Sequence, residues 1–336
     1  MIRVEEVFEK TYPTEANVYD VPKDLIADKL EERGYWHEAC RFVDCHNVFF
    51  VYTCSCCGFQ YPMPLKCNFR FCNNCGDVRF NIYASRLSSV FESKLAEKKN
   101  DPQLRGFRFR RLEMGLPPVD WFNVEVFNEL RGYFNKFRKG YLNERMGDFG
   151  CGLYGLEVKY SRPGDWYQRA NGEIYVIEQE GFNFHLHAIV LSKFLDNKRG
   201  YQVSKAWEKA TGGKARIAYV DEARSWRNGL FETLKYCFKP PTLRKPEYYV
   251  DFYEETKGMR LYNTFGSLRG VKLPGKKKGR YGCRFDGSPL EKDDLSITRD
   301  DALEIIKSRV IPKTSLDAYR RIQGIVKPVV LRGDNL

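Results

Sequence analysis

The spacing of apolar and polar positions changes several times along the chain, and each change marks an element. KDLIADKLEERG (23–34) has helical spacing, and NVFFVYT (47–53) is a strand-like run leading into a cluster of cysteines. VRFNIYASRLSSVFESKLAEKK (78–99) again has the period of a helix. From about residue 106 the pattern predicts a strand in GFRFRRLEMG, a helix in WFNVEVFNELRGYFNKFRKGYL, and a second strand in CGLYGLEVKYS. EIYVIEQEG and FNFHLHAIVLS read as further strands, followed by a helix in SKAWEKATG and a strand in ARIAYV. A strong helix in EARSWRNGLFETLKYCFK is stopped by Pro240 and Pro241. RLYNTFGSLRGVKLPGKKKGRYG (260–282) reads as extended or looped, and DDALEIIKSRV (300–310) as a last helix.

This order predicts an α+β fold, an antiparallel sheet with flanking helices related to the split βαβ arrangement, plus a small zinc-binding module. The expected organisation is an N-terminal segment (1–53), the zinc-binding module with its following helix (54–102), the α+β domain (103–245) and a basic C-terminal region (246–336).

Composition narrows the partners. Hydrophobic residues make up 43% and charged residues 30% of the 336, a globular balance. Fifty-six Lys and Arg against 44 Asp and Glu give a net charge of +12, which favours a polyanion. No apolar run reaches the roughly 20 residues of a membrane span, and MIRVEEVFEK lacks the order of a signal peptide. The expectation is a cytoplasmic protein without a membrane partner.

Six of the 11 cysteines fall between residues 54 and 75. Cys54 and Cys57, then Cys72 and Cys75, form two C-x2-C knuckles, with Gly58 and Gly76 supplying the turns. Four thiolates in this spacing predict a closed structural zinc site, with Cys67 as an alternative to Cys72 and Cys56 as a bystander. Such a module can present Lys66, Arg70 and Arg79 to DNA.

Two of the four histidines stand in FHLHAIV (184–190). On a strand, residues i and i+2 share a face, so His185 and His187 project together while Phe184, Leu186, Ala188 and Val190 face the core. In YGLEVKY (154–160) the same alternation sets Glu157 and Lys159 against an apolar face. Glu157 is the candidate third ligand of a divalent ion that would polarise a scissile phosphate, with Glu178 and Glu180 as alternatives. Two histidines on an exposed strand are equally an ordinary surface.

In LFETLKYCFK (230–239), Glu232 and Tyr236 are i and i+4 on one helical face with Lys239 beside them, while Trp226, Leu230, Leu234, Cys237 and Phe238 form the buried stripe. A tyrosine beside a metal-held phosphate can store the broken bond as a phosphotyrosine ester. Lys239 would stabilise the developing charge, and Glu232 would activate water as a general base.

Taken in order, C54xxC57, C67NFRFC72NNC75, F184HLHAIV190 and E232TLKY236CFK239 resemble the rolling-circle replication initiators of the HUH endonuclease superfamily, in the branch with one tyrosine and one glutamate. The resemblance covers about residues 54–240. It implies that His185 and His187 hold Mg2+ or Mn2+ and that Tyr236 forms a 5′-phosphotyrosine link at a plasmid or viral origin. Glu232 would then serve the terminating hydrolysis, with single-stranded origin DNA and host replication proteins as partners. Two features depart from the pattern: Asn73-Asn74 replaces a proline common in the second knuckle, and residues 161–181 are long. That long segment can form a hairpin arm offering Arg162, Trp166, Tyr167 and Arg169 to single-stranded DNA. The rival readings are an HUH transposase, which generally pairs two tyrosines, and a zinc-ribbon DNA-binding regulator without catalysis.

Overall fold

The computed structural model describes residues 21–55, 58, 60–101, 104–168, 174–176, 178–195, 201–215, 218–223, 225–271 and 290–307. The chain divides into two compact units, residues 1–85 with 274–336 and residues 86–273.

The first unit begins with helices α1 (Lys23–Glu32) and α2 (Trp36–Val43). Ile26, Ala27 and Leu30 of α1 are buried, as are Ala39 and Phe42 of α2, so each short helix is held by one apolar stripe. Strands β1 (Val48–Cys54) and β2 (Gln60–Pro64) pair antiparallel. Helix α3 (Asn73–Asn100) starts earlier than its apolar period suggests, taking Cys75 into its first turn.

The second unit carries the larger sheet. Strand β3 (Arg108–Gly115) is followed by α4 (Val124–Phe137), a wider π turn (Arg138–Leu142) and the short α5 (Asn143–Met146). Next come β4 (Cys151–Ser161), the paired β5 (Trp166–Gln168) and β6 (Ile174–Val176), and β7 (Gly181–Ser192). Helix α6 (Tyr201–Ala210), strand β8 (Ala218–Glu222), helices α7 (Trp226–Phe238) and α8 (Pro246–Thr256), and strand β9 (Tyr262–Gly266) complete it. The sheet order is β8-β3-β7-β4-β9 and every pair is antiparallel. The expected α+β class with helices against an antiparallel sheet is therefore present.

Central position explains why β7 is so apolar: it is covered on both faces. On one face Phe184 meets Phe127 of α4 edge-on at 4.8 Å, and Trp207 of α6 donates its indole N–H to the Gly115 carbonyl. Helix α7 lies on the other face. Gly229 sits against Ile189, and Gly155 of β4 leaves room for the Cys237 thiol, since a Cβ there would fall 2.1 Å from its sulfur. Those small residues bring α7 onto the strands that carry the histidines.

The C-terminal stretch is shared between the units rather than forming a region of its own. Residues 246–266 supply α8 and the fifth strand of the larger sheet, whereas β10 (Leu290–Thr298) pairs with β1, and α9 (Arg299–Lys307) follows it. Among the described residues, no helix is long and apolar enough to cross a membrane.

Candidate active site

Four buried thiols converge in the first unit, but they are not the two knuckles expected. Cys45, Cys67, Cys72 and Cys75 place their sulfurs within 4.8 Å of one another. Cys54 is buried outside this group, and Cys57 lies outside the described residues. The ligand set is thus corrected: Cys45 and Cys67 join the second knuckle. The turn at Cys54 does form, with Gly58 at φ +67° and its N–H on the Cys54 carbonyl, yet its sulfur does not reach the cluster.

Local geometry explains the assembly. His46 and Asn68, each following a cluster cysteine, adopt φ 63°. The Cys67 N–H then points to the Cys45 sulfur at 3.4 Å and the Asn68 N–H to the Cys75 sulfur at 3.3 Å. Sulfur separations of 3.6, 3.6 and 3.7 Å are too long for a disulfide, whose bond is about 2.05 Å. They suit the edges of a tetrahedron with metal–sulfur bonds of about 2.3 Å, so the cluster fits zinc. Thiol donors from Cys45, Cys67 and Cys72 pull the Cys75 thiol far below its ordinary range, while contacts within the same cluster push Cys67 and Cys72 up.

Arg79 is committed to this scaffold. Its guanidinium donates to the carbonyls of Asn68 and Phe69, while Arg41 donates to that of Lys66 at 2.9 Å. Lys66 and Arg70 are half-buried.

In the second unit, the sheet register assembles the histidine site. Glu157 pairs with His185 across β4 and β7, and Glu113 pairs with His187 across β3 and β7. The side chains engage along the diagonals: His187 Nε2 lies 3.0 Å from Glu157, and His185 Nδ1 lies 3.8 Å from Glu113. Lys159, two residues beyond Glu157 on the same face, approaches it at 3.4 Å. Burial pushes the Glu157 carboxyl up, but the His187 hydrogen bond and Lys159 outweigh it and hold it down at about 2. Burial lowers His185 to about 4, so its imidazole is neutral near pH 7.

Tyr236 of α7 closes the site. Its ring stacks on His187 with centroids 3.7 Å apart and 8° between planes, and the Lys159 ammonium lies 5.8 Å from the ring centre. Burial, then the charges of Glu157, Glu113 and Glu232, push the phenol up to about 12, with Arg111 opposing them. Glu232 is half-buried one turn before Tyr236.

The other candidates are placed elsewhere. Lys239 is the extended, exposed C-cap of α7, so the cation over the tyrosine ring is Lys159. The Glu180 carboxylate accepts from Tyr160, whose ring packs on Phe182 and Tyr248, and Glu178 is exposed. Residues 166–168 and 174–176 pair antiparallel, and the residues between them lie outside the described ones. Arg162 is exposed, whereas Arg169 and the side chains of Trp166 and Tyr167 lie outside the described residues.

The histidine site offers two imidazoles and a carboxylate from each flanking strand, a donor set that suits a divalent ion. These donors are already paired with one another, Glu157 and His187 buried and His185 and Glu113 more open. Among the described residues, only the cysteines bring three or more donor atoms within 4.8 Å. No family model, curated protein or solved structure matches the chain.

Proposed function

We propose that the second unit is a single-strand DNA nicking and rejoining domain of the HUH type, and that the chain initiates rolling-circle replication. The observation that carries this reading is the stack of Tyr236 on His187 beside Glu157, which unites a nucleophile with a ligand set from different elements. A bound Mg2+ or Mn2+, held by His185, His187 and Glu157, would supply Lewis-acid polarisation of the scissile phosphate.

The chain's own groups carry the rest. The Tyr236 oxygen attacks phosphorus and gives up its phenol proton to solvent, the bond to the 3′ oxygen breaks, and that oxygen takes a proton from solvent, so that a 5′-phosphotyrosine forms while the released 3′-hydroxyl primes synthesis. Lys159 faces the negative charge that develops there. Glu232, on the Tyr236 face of α7, takes a proton from water when the adduct is hydrolysed. Origin DNA and host replication proteins are the corresponding partners, and zinc in the four-cysteine cluster is structural.

The test incubates the full chain with Mn2+ and a random-sequence single-stranded DNA pool, then looks for a denaturant-stable adduct mapped to Tyr236 by mass spectrometry. The adduct is expected in the wild type and absent in Tyr236→Phe. DNA binding without any adduct would instead favour a non-catalytic regulator.

A further inference from the structure

We propose that Trp121 is a stacking plate for one base of single-stranded DNA, set beside the end of β7 that leads to His185; this rests on the nicking reading above. Trp121 is 66% exposed and is the most exposed of the large hydrophobic side chains among the described residues. A tryptophan offers about 150–250 Å² of surface to bury, so displaying it forgoes a large stabilising contribution. A floppy loop would let it collapse onto the protein.

This loop is pinned on both sides of the ring. Val119 and Phe182 exchange backbone hydrogen bonds at 3.1 and 2.7 Å, joining the loop to the start of β7. Phe122, the next residue after Trp121, is wedged against Phe182, Phe184, Phe127 and Phe252. Asn123 then caps α4 by accepting the Glu125 N–H at 2.8 Å. Trp121 is thus held outward between two anchored neighbours.

Its position suits a nucleotide near the cut. Phe182 precedes His185 by three strand residues, about 10 Å along β7; its ring is on the α4 face, so a strand reaching both Trp121 and the imidazoles passes around this end of the sheet. Cations flank this end of the sheet: Lys159 beside Glu157, and Lys245 over Tyr248, which packs on Phe182. A fixed aromatic face on the unit whose ammonium groups stand at Glu157 and Tyr248 matches the base-and-phosphate chemistry of single-stranded nucleic acid, where stacking is tolerant of sequence.

The experiment uses the full chain carrying Tyr236→Phe, so that cleavage does not intervene, and a labelled random-sequence single-stranded pool with Mn2+. Replacing Trp121 by Leu should weaken binding roughly tenfold, Trp121→Tyr should retain most of it, and binding to the same pool annealed as duplex should not change. Unchanged affinity of Trp121→Leu for the single strands overturns the plate, and an adduct still forming in a companion Trp121→Leu chain that keeps Tyr236 leaves the nicking reading intact. Equal losses on single strands and duplex also overturn it, as does a loss of self-association with DNA affinity retained, which would give the ring to a second copy. A wild-type chain that neither binds single strands nor forms the adduct removes both proposals.

Discussion

The Tyr236 ring lies parallel to the His187 imidazole at 3.7 Å, while His187 Nε2 engages Glu157 at 3.0 Å. Any change at the carboxylate is therefore felt by the tyrosine through one intervening ring.

The phenol should titrate accordingly. Near pH 7 a group held at about 12 is protonated, and its ionised fraction grows about tenfold per pH unit below that value. Adduct formation should rise with pH through the neutral range. Glu113→Gln and Glu232→Gln should each lower the tyrosine titration read by ultraviolet difference absorbance. An unshifted titration in both would remove these carboxylates from the tyrosine's environment.

Acid should weaken the second unit in two stages. Glu157 sits near 2 instead of 4.5, so it contributes fully above 4.5, by about 3 kcal/mol, and loses that contribution as pH falls toward 2. His185, lowered to about 4, stabilises as a neutral ring above 6.5, and that stability is lost as pH falls through 4. Urea midpoints measured without added divalent ion should drop across both windows. Glu157→Gln should flatten the lower one and, by removing a charge that supports the imidazolium, shift the His185 window further down.

Close packing at Gly155 should be intolerant. An alanine Cβ there would meet the Cys237 sulfur at 2.1 Å, so Gly155→Ala should cost about 1–3 kcal/mol and lift Tyr236 away from His187. Adding Cys237→Ala removes the offending sulfur. Recovery of thermal stability and of adduct yield in the double variant is the expected result, and no recovery would mean that the clash lies elsewhere.

Zinc content should follow the observed cluster. Cys45→Ser and Cys72→Ser should each strip the metal, whereas Cys54→Ser should retain it. Atomic absorption on the purified variants decides this directly. Loss of zinc from Cys54→Ser would restore the two-knuckle assignment.

These contrasts show what was legible in the sequence. His185, His187 and Glu157 were readable because strand alternation fixes which side chains share a face within one element. Helical spacing likewise gave Glu232 and Tyr236. Glu113 was hidden because nothing local says that β3 will lie beside β7 in that register. Cys45 was hidden for a related reason: it stands alone in the turn after α2, 22 residues before Cys67, while C-x2-C at Cys54 gave a stronger local signal. Lys239 was misplaced despite a usable clue, since Pro240 biases the residue before it away from helical geometry, and Lys239 is indeed extended.

Strand β1 lies between β2, its near neighbour in sequence, and β10, which arrives more than 200 residues later. During synthesis, the ribosome therefore delivers every residue of the second unit before it delivers the strand that completes the cysteine unit's sheet. Until then one edge of β1 has bare amides and carbonyls, open to pairing with another nascent chain. Fragments ending near residue 273 should inherit that vulnerability permanently, so expression of the isolated second unit is better begun at residue 86 than obtained by C-terminal truncation alone.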